Sequence, residues 1–194
     1  MSIAPSTVAL FAKYPRPGLA KTRLIPALGE EGAANLHRHL VERALGEMRA
    51  SGLPFAVYYT GASEADFLDW LGDDVTLIGQ GEGDLGARLA RVPAPAILLG
   101  ADVPDVTAQH LLEAAAALTE VPVVIGPAAD GGYYLLGFSG EKAFLFHEMR
   151  WGTEQVLSDT EERLKAHGVP YRVLETLHDC DRPEDLARWP DLLA

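Results

Sequence analysis

The feature that most constrains the fold is a repeated alternation. From Thr7 to Gly126, short apolar runs bounded by Gly, Pro or Asp take turns with segments of helical period. The runs Thr7–Ala12, Phe55–Thr60, Val75–Gly79, the stretch from Ile97 that ends in Asp102, and Pro122–Gly126 are strand-length and bounded by turn residues. Between them Glu30–Ser51, Glu64–Trp70, Leu85–Val92 and Thr107–Thr119 read as helices. The first of these lines up Leu36, Leu40, Val41, Ala44, Leu45 and Met48 on one face. Parallel strands need a crossover, and a strand–helix–strand repeat supplies it. The expected fold is α/β, a mostly parallel sheet with helices on both faces. After Gly126 the alternation fails. Tyr133–Phe138 follows its predecessor through a turn alone, so it pairs antiparallel or lies apart. A helix at Thr153–His167, a strand at Tyr171–Glu175 and a short helix at Pro183–Arg188 complete the chain. No linker interrupts it, and 194 residues suit a single domain spanning residues 1–194.

In open parallel sheets ligands bind off the carboxyl ends of the strands. That rule singles out Asp102, which follows the buried run Ile97-Leu98-Leu99-Gly100-Ala101 and precedes Val103-Pro104. A second carboxylate, Asp130, leaves the next strand in the turn Gly126-Pro127-Ala128-Ala129-Asp130-Gly131-Gly132. Each alone is an ordinary turn residue. Together they deliver two carboxylates to one edge. Asp181 adds a third acid near the end of the chain. It also fits a plain N-cap, with Pro183 just inside the helix and Glu184 three residues on.

Net charge is −12, which excludes broad nucleic-acid binding and attraction to anionic membranes. It makes the one basic cluster conspicuous. Lys13, Arg16, Lys21 and Arg23 fall within eleven residues without an acid, on a loop rich in Pro and Gly; removing them leaves the rest of the chain at −16. Such a loop after a first strand suits an anion. It is not a P-loop: Ala20 and Pro15 stand where that motif needs glycine. Hard oxygen ligands and a cationic loop together suit a Mg²⁺– or Mn²⁺–diphosphate site. The lone cysteine, Cys180, excludes an internal disulfide and a Cys-rich zinc site. Met1 to Lys13 has neither the basic start nor the apolar core of a secretory signal, and no apolar run reaches spanning length, so a cytoplasmic protein is expected.

Gly81-Glu82-Gly83-Asp84-Leu85-Gly86 is formally a dinucleotide fingerprint. Its two acids, the short helix before Pro93 and its mid-chain position count against a nicotinamide cofactor. The alternative is a turn whose glycines let a flat base approach the backbone, with Gln80 or Arg88 reading it. Trp151-Gly152-Thr153 also has two readings. Thr153 caps the following helix and Trp151 is core, or Trp151 lines an acceptor pocket with Tyr133 and Tyr134. His147 and His178 have no identifiable partners.

These stretches resemble the nucleotide-diphospho-sugar transferase superfamily of GT-A fold. Within it they are similar to a bacterial glycosyltransferase branch that includes members linked to arsenosugar biosynthesis. The matching residues are Phe11 to Pro15 with Gly18 and Lys21 to Leu24; Gln80 with Gly83 to Gly86 and Arg88; Gly100 to Pro104; Gly126-Pro127 with Asp130 to Leu135; Trp151 to Glu154; and Asp179 with Asp181 to Leu186. The resemblance implies a nucleotide between the first-strand loop (Lys13, Gly18, Lys21, Thr22, Arg23) and the glycine turn (Gln80, Gly83, Asp84, Arg88). It implies a Mg²⁺ or Mn²⁺ ion on Asp102. The usual Asp-x-Asp motif is here Asp102-Val103-Pro104, so further ligands come from Asp130, Asp181, water or the nucleotide. That departure is shared with small nucleotidyltransferases, and the Lys21–Leu24 and Asp130–Gly132 stretches are similar to phospholactate guanylyltransferases. The donor is accordingly a nucleotide sugar or a nucleoside triphosphate, with a small-molecule acceptor and Asp130 as ligand or base. A non-catalytic nucleotide-binding module is the remaining alternative. Monomer and homodimer are both compatible with the sequence.

Overall fold

The structure is a computed structural model that describes residues 6–140 and 143–193; the extreme ends of the expected 1–194 domain lie outside the described residues. Seven strands form one sheet: β1 (Thr7–Lys13), β2 (Phe55–Thr60), β3 (Leu77–Gly79), β4 (Ala96–Gly100), β5 (Val123–Pro127), β6 (Tyr133–Phe138) and β7 (Tyr171–Val173). Their order is β3-β2-β1-β4-β6-β5-β7. All pairings are parallel except those of β6, which runs antiparallel to both β4 and β5. The five residues between β5 and β6 are too few for a parallel crossover, so the reversal is forced.

Among the described residues five α-helices cover the sheet: α1 (Ile25–Ser51), α2 (Glu64–Leu71), α3 (Leu85–Leu89), α4 (Ala108–Ala117) and α5 (Val156–Ala166). Strand residues alternate between two cores, as a period of two requires. Val8, Leu10, Ile97 and Leu99 pack against Val41, Leu45, Met48, Phe67 and Leu111 of α1, α2 and α4. Ala9, Leu98, Ile125 and Leu136 face Leu89 of α3, Leu164 of α5, and Leu145 and Phe146 of the segment before α5. A third cluster joins Leu24, Leu36 and Leu40 to Cys180, with Leu186, Trp189 and Leu192 of the C-terminal segment against it.

The helix expected from Glu30 is preceded by an additional turn. Gly29, at φ 71° and ψ 172°, interrupts Ile25–Ser51 one residue before Glu30. Two caps differ from expectation. The short helix expected at Pro183–Arg188 is a 3-10 segment capped by Arg182 rather than Asp181, and Asp185 accepts from the backbone N–H groups of both. The Asp181 side chain is thereby left for other partners. Helix α5 starts at Val156 after Gln155, not at Thr153, whose hydroxyl donates to the Arg150 carbonyl instead.

Candidate nucleotide and metal site

The topology brings the charged motifs to one edge. The chain reverses its direction of travel across the sheet between β1 and β4, the kind of point where ligands bind. Phe11 pairs with Gly100, so Lys13 and Asp102 each lie two residues farther along neighbouring strands. Because β6 is antiparallel, its start at Tyr133 and the Asp130 turn fall at that same edge. Strand β7 runs parallel to β5 and carries the following residues there too; the Cys180 N–H donates to the Asp102 carbonyl at 2.8 Å.

Two adjoining cavities occupy this edge. One, of about 410 Å³, lies between Phe11, Gln80, Leu85, Asp102, Asp130 and Trp151. The other, of about 350 Å³, is lined by Lys13, Lys21, Thr22, Arg23, Asp102 and Asp181. They share Lys13, His37 and Asp102. A larger groove of about 870 Å³ runs between Ala87 of α3, Phe144, His147 and Arg163 of α5, but neither Asp102 nor Asp130 reaches it. The paired cavities, where opposite charges converge, form the candidate site.

At their junction the Lys21 ammonium, with its side chain 5 % exposed, lies 2.6 Å from Asp102 Oδ1 and 2.6 Å from Asp181 Oδ1. It also donates to the Cys180 carbonyl at 2.8 Å. Arg23 approaches Asp181 Oδ2 at 3.4 Å. Asp102 is ringed by protein at the cleft floor, yet half of its side chain is open to the cleft. Burial by itself raises the Asp102 pKa; the charge and hydrogen bond of Lys21, with His37, outweigh it and hold the carboxyl below its usual range. Burial likewise lowers Lys21, and the two carboxylates more than reverse that.

The expected trio Asp102, Asp130 and Asp181 does not converge on one point; among the described residues no three of His, Cys, Asp or Glu form a metal-holding group. The reason is topological. Strand β6 separates β4 from the β5–β6 turn, and Asp130 Oδ1 is turned back onto the Gly132 N–H at 2.8 Å. Asp130 faces the larger of the two cavities instead. It lies near Asp179, whose carboxyl is raised first by burial and then by the Asp130 charge. Asp102, Asp181 and the Cys180 carbonyl still offer hard oxygens around one cation position, a donor set that fits Mg²⁺ or Mn²⁺ once water and phosphate oxygens are added.

The other predicted residues take distinct places. The Lys13 ammonium donates to the Leu19 carbonyl, and Gly18 turns the loop at φ +74°. Thr22 opens a 3-10 turn that lines the smaller cavity. Gln80 is buried with its amide donating to the Tyr58 carbonyl at 2.8 Å, which ties the glycine turn to β2. Arg88 donates to the Gly83 carbonyl and Asp84 caps α3 through the Ala87 N–H. Tyr133 and Trp151 meet edge to face at 6.3 Å on the cleft wall. Tyr134 is almost wholly buried and donates to the Glu175 carbonyl; its phenol is pushed up to about 12, mainly by burial.

His37 is the residue that sequence reasoning passed over. It sits on the apolar face of α1 beside Ala33, Ala34, Leu36 and Leu40, and a polar residue in that stripe was the available signal. Its Nε2 lies 2.9 Å from the Lys13 carbonyl, so Nε2 carries the proton and donates. Burial outweighs that bond and lowers its pKa. The unfolded chain therefore takes up the proton at higher pH than the folded one. Stability that rests on neutral His37 is complete above about pH 6.5 and is lost as the pH falls from there through the lower folded value. His37→Gln keeps a donor but does not titrate. In metal-free buffer its melting temperature should fall less than that of wild type between pH 7.5 and 5.5; parallel curves would refute the assignment.

None of the curated proteins matches the chain in sequence. Among solved structures, one from Desulfovibrio desulfuricans G20, assigned provisionally as a nucleotide-diphospho-sugar transferase, is 31 % identical with a TM-score of 0.87, covering 93 % of this chain and 84 % of that one. A nucleotidyl transferase from Methanothermobacter thermautotrophicus shares 20 % identity over 98 % of both chains at a TM-score of 0.63. Rv0371c from Mycobacterium tuberculosis H37Rv, in complex with manganese, shares 17 % identity over 95 % of this chain and 97 % of that one at 0.60. The nucleotide-diphospho-sugar transferase architecture expected from the motifs is thus the observed one. Residues 45–153 match the family described as "Uncharacterized protein conserved in bacteria (DUF2064)", and the chain belongs to that family.

Proposed function

We propose that the protein is a divalent-metal-dependent transferase that takes a nucleotide-diphosphate sugar and passes the sugar to a small-molecule hydroxyl. The observation that carries this reading is the convergence of Asp102, Asp181 and Lys21 at the junction of two cavities, the larger walled by Gln80, Leu85, Tyr133 and Trp151. Asp102 and Asp181 would hold the metal. When bound, the metal supplies positive charge that neutralises the departing diphosphate. Lys13, Lys21 and Arg23 offer cations to the same phosphates from the loop side. The turn at Gly81–Gly86, held by Arg88 on Gly83 and by Arg91 on Gln80 and Glu82, supports the nucleoside. Asp130 faces the cleft beside Tyr133 and Trp151, where it can take the proton of an acceptor hydroxyl. The Desulfovibrio relative's assignment supports the donor class, and the manganese complex of Rv0371c, a protein of the same fold, agrees with the metal. Nucleotide sugars are cytoplasmic metabolites, so the reading carries a cytoplasmic location with it.

A second reading, nucleotidyl transfer from a triphosphate, is favoured by one feature. The residue after Asp102 is the buried Val103 and the next is Pro104, so the paired carboxylate of an Asp-x-Asp motif is missing. Product analysis separates the two. With Mn²⁺ and a phosphorylated or hydroxyl acceptor panel, the first reading expects a nucleoside diphosphate to be released from the nucleotide sugar. Pyrophosphate released from a triphosphate, with no diphosphate from any nucleotide sugar, would replace it by the second.

A further inference from the structure

Two carboxylates and a carbonyl meet at one point, and a cation of the chain itself stands there. The Lys21 ammonium donates to Asp181 Oδ1 and the Cys180 carbonyl at 2.6 and 2.8 Å and forms an ion pair with Asp102 Oδ1 at 2.6 Å. The proposed function assigns those same carboxylates to a divalent ion. A divalent ion bound at about 2.0–2.2 Å from both oxygens would overlap the ammonium and repel it. The two cations exclude each other at this position.

We propose that Lys21 is the exchangeable occupant of the metal position. Without ligands its ammonium seats between Asp102 and Asp181; a divalent cation enters only as Lys21 leaves, and the freed ammonium then turns to the phosphates. This rests on the metal reading given above. The local structure suits an exchange. Lys21 has left-handed backbone angles, φ 46° and ψ 47°, which a non-glycine residue holds only at a cost that its contacts must offset. Leu19, two residues earlier on the same loop, is 55 % exposed. The 350 Å³ cavity beside Lys21, lined by Lys13, Thr22 and Arg23, gives the side chain a place to go and the phosphates a place to meet it. One consequence is synergy. A diphosphate offers Lys21 a new partner, so metal and nucleotide each raise the other's affinity by the same factor.

The test uses Mn²⁺ alone, titrated into wild type, Lys21→Met and Arg23→Met while free Mn²⁺ is followed by electron paramagnetic resonance. Arg23 also stands beside Asp181, so its variant reports the general effect of removing one nearby charge. If the lysine holds the position in about nine molecules of ten, its removal should tighten Mn²⁺ binding about tenfold. Arg23→Met should gain clearly less. Wild type gives a second readout that needs no variant. Acylation followed by mass spectrometry should label Lys21 about tenfold more slowly without metal than at saturating Mn²⁺, with the exposed Lys165 labelled alike in both. Equal affinity for wild type and Lys21→Met, or a Lys21 that is labelled no faster when Mn²⁺ is bound, would overturn the exchange and leave the metal reading intact. No Mn²⁺ binding to any of the three proteins would overturn both.

Discussion

Asp102→Asn is expected to reduce turnover at least about a hundredfold while shifting the melting temperature by only a few degrees. The contrast follows from where the residue's two contributions lie. Its backbone carbonyl accepts from Cys180 and fastens the C-terminal segment, and the substitution leaves that bond in place. Asparagine has nearly the same shape, and Lys21 keeps Asp181 and the Cys180 carbonyl. The charge is what is lost, and with it one of the two carboxylates proposed to hold the metal. Nucleotide binding should also lose its dependence on Mn²⁺. A variant with wild-type turnover and undiminished metal dependence would remove Asp102 from the mechanism.

Gly131→Ala should be among the most damaging single-methyl changes in the chain. Gly131 has φ +89°, where an L side chain is strained. A Cβ there would stand 2.2 Å from the Glu154 carbonyl oxygen and 2.7 Å from its Cα, both backbone atoms without a rotamer to yield. The Gly131 carbonyl also accepts from the Leu157 N–H at 2.9 Å, the bond that docks the first turn of α5 on the Asp130 turn. Relief of the clash pries those segments apart. A cost of about 3–5 kcal/mol is expected, or roughly 6–20 °C in melting temperature for a chain of this size. Gly152 provides the control. It too has positive φ, at +74°, but nothing lies within 4 Å of its would-be Cβ. Gly152→Ala should cost only about 1 kcal/mol. Equal melting temperatures for the two variants would show that backbone strain, not the contact with Glu154, decides both.

The sequence made the inner strands legible because their burial on both faces leaves continuous apolar runs. Phe55–Thr60 and Tyr133–Phe138 fall on the residues expected, and the antiparallel course of the latter follows from the short turn before it. The edges were less legible. Val75–Gly79 and Tyr171–Glu175 shrink to Leu77–Gly79 and Tyr171–Val173, since an edge strand has one partner and no buried flank to mark its limits. The site was legible residue by residue but not as pairs. Asp102, Lys21 and Asp181 each stood out by type and position. That Lys21 bridges Asp102 and Asp181, the latter 160 residues away from it, is a property of the folded sheet. Local reading misplaced Asp181 for a physical reason: Asp181 with Glu184 and Arg182 with Asp185 offer the same capping spacing, and the Asp185 carboxylate settles the frame. His37 was hidden because a helix stripe announces packing, whereas its partner, the Lys13 carbonyl at the end of β1, is supplied by the tertiary fold.

The most direct measurement is the thermal stability of wild type against nucleotide sugars, nucleoside triphosphates and NAD(H), each with and without Mn²⁺. A ligand at about a hundred times its dissociation constant stabilises by about 2.7 kcal/mol, worth roughly 5–11 °C at this size. A nucleotide sugar should give such a shift with Mn²⁺ and none, or nearly none, without it. Stabilisation by NAD(H) that ignores metal, or no shift with any nucleotide, would contradict the proposed function.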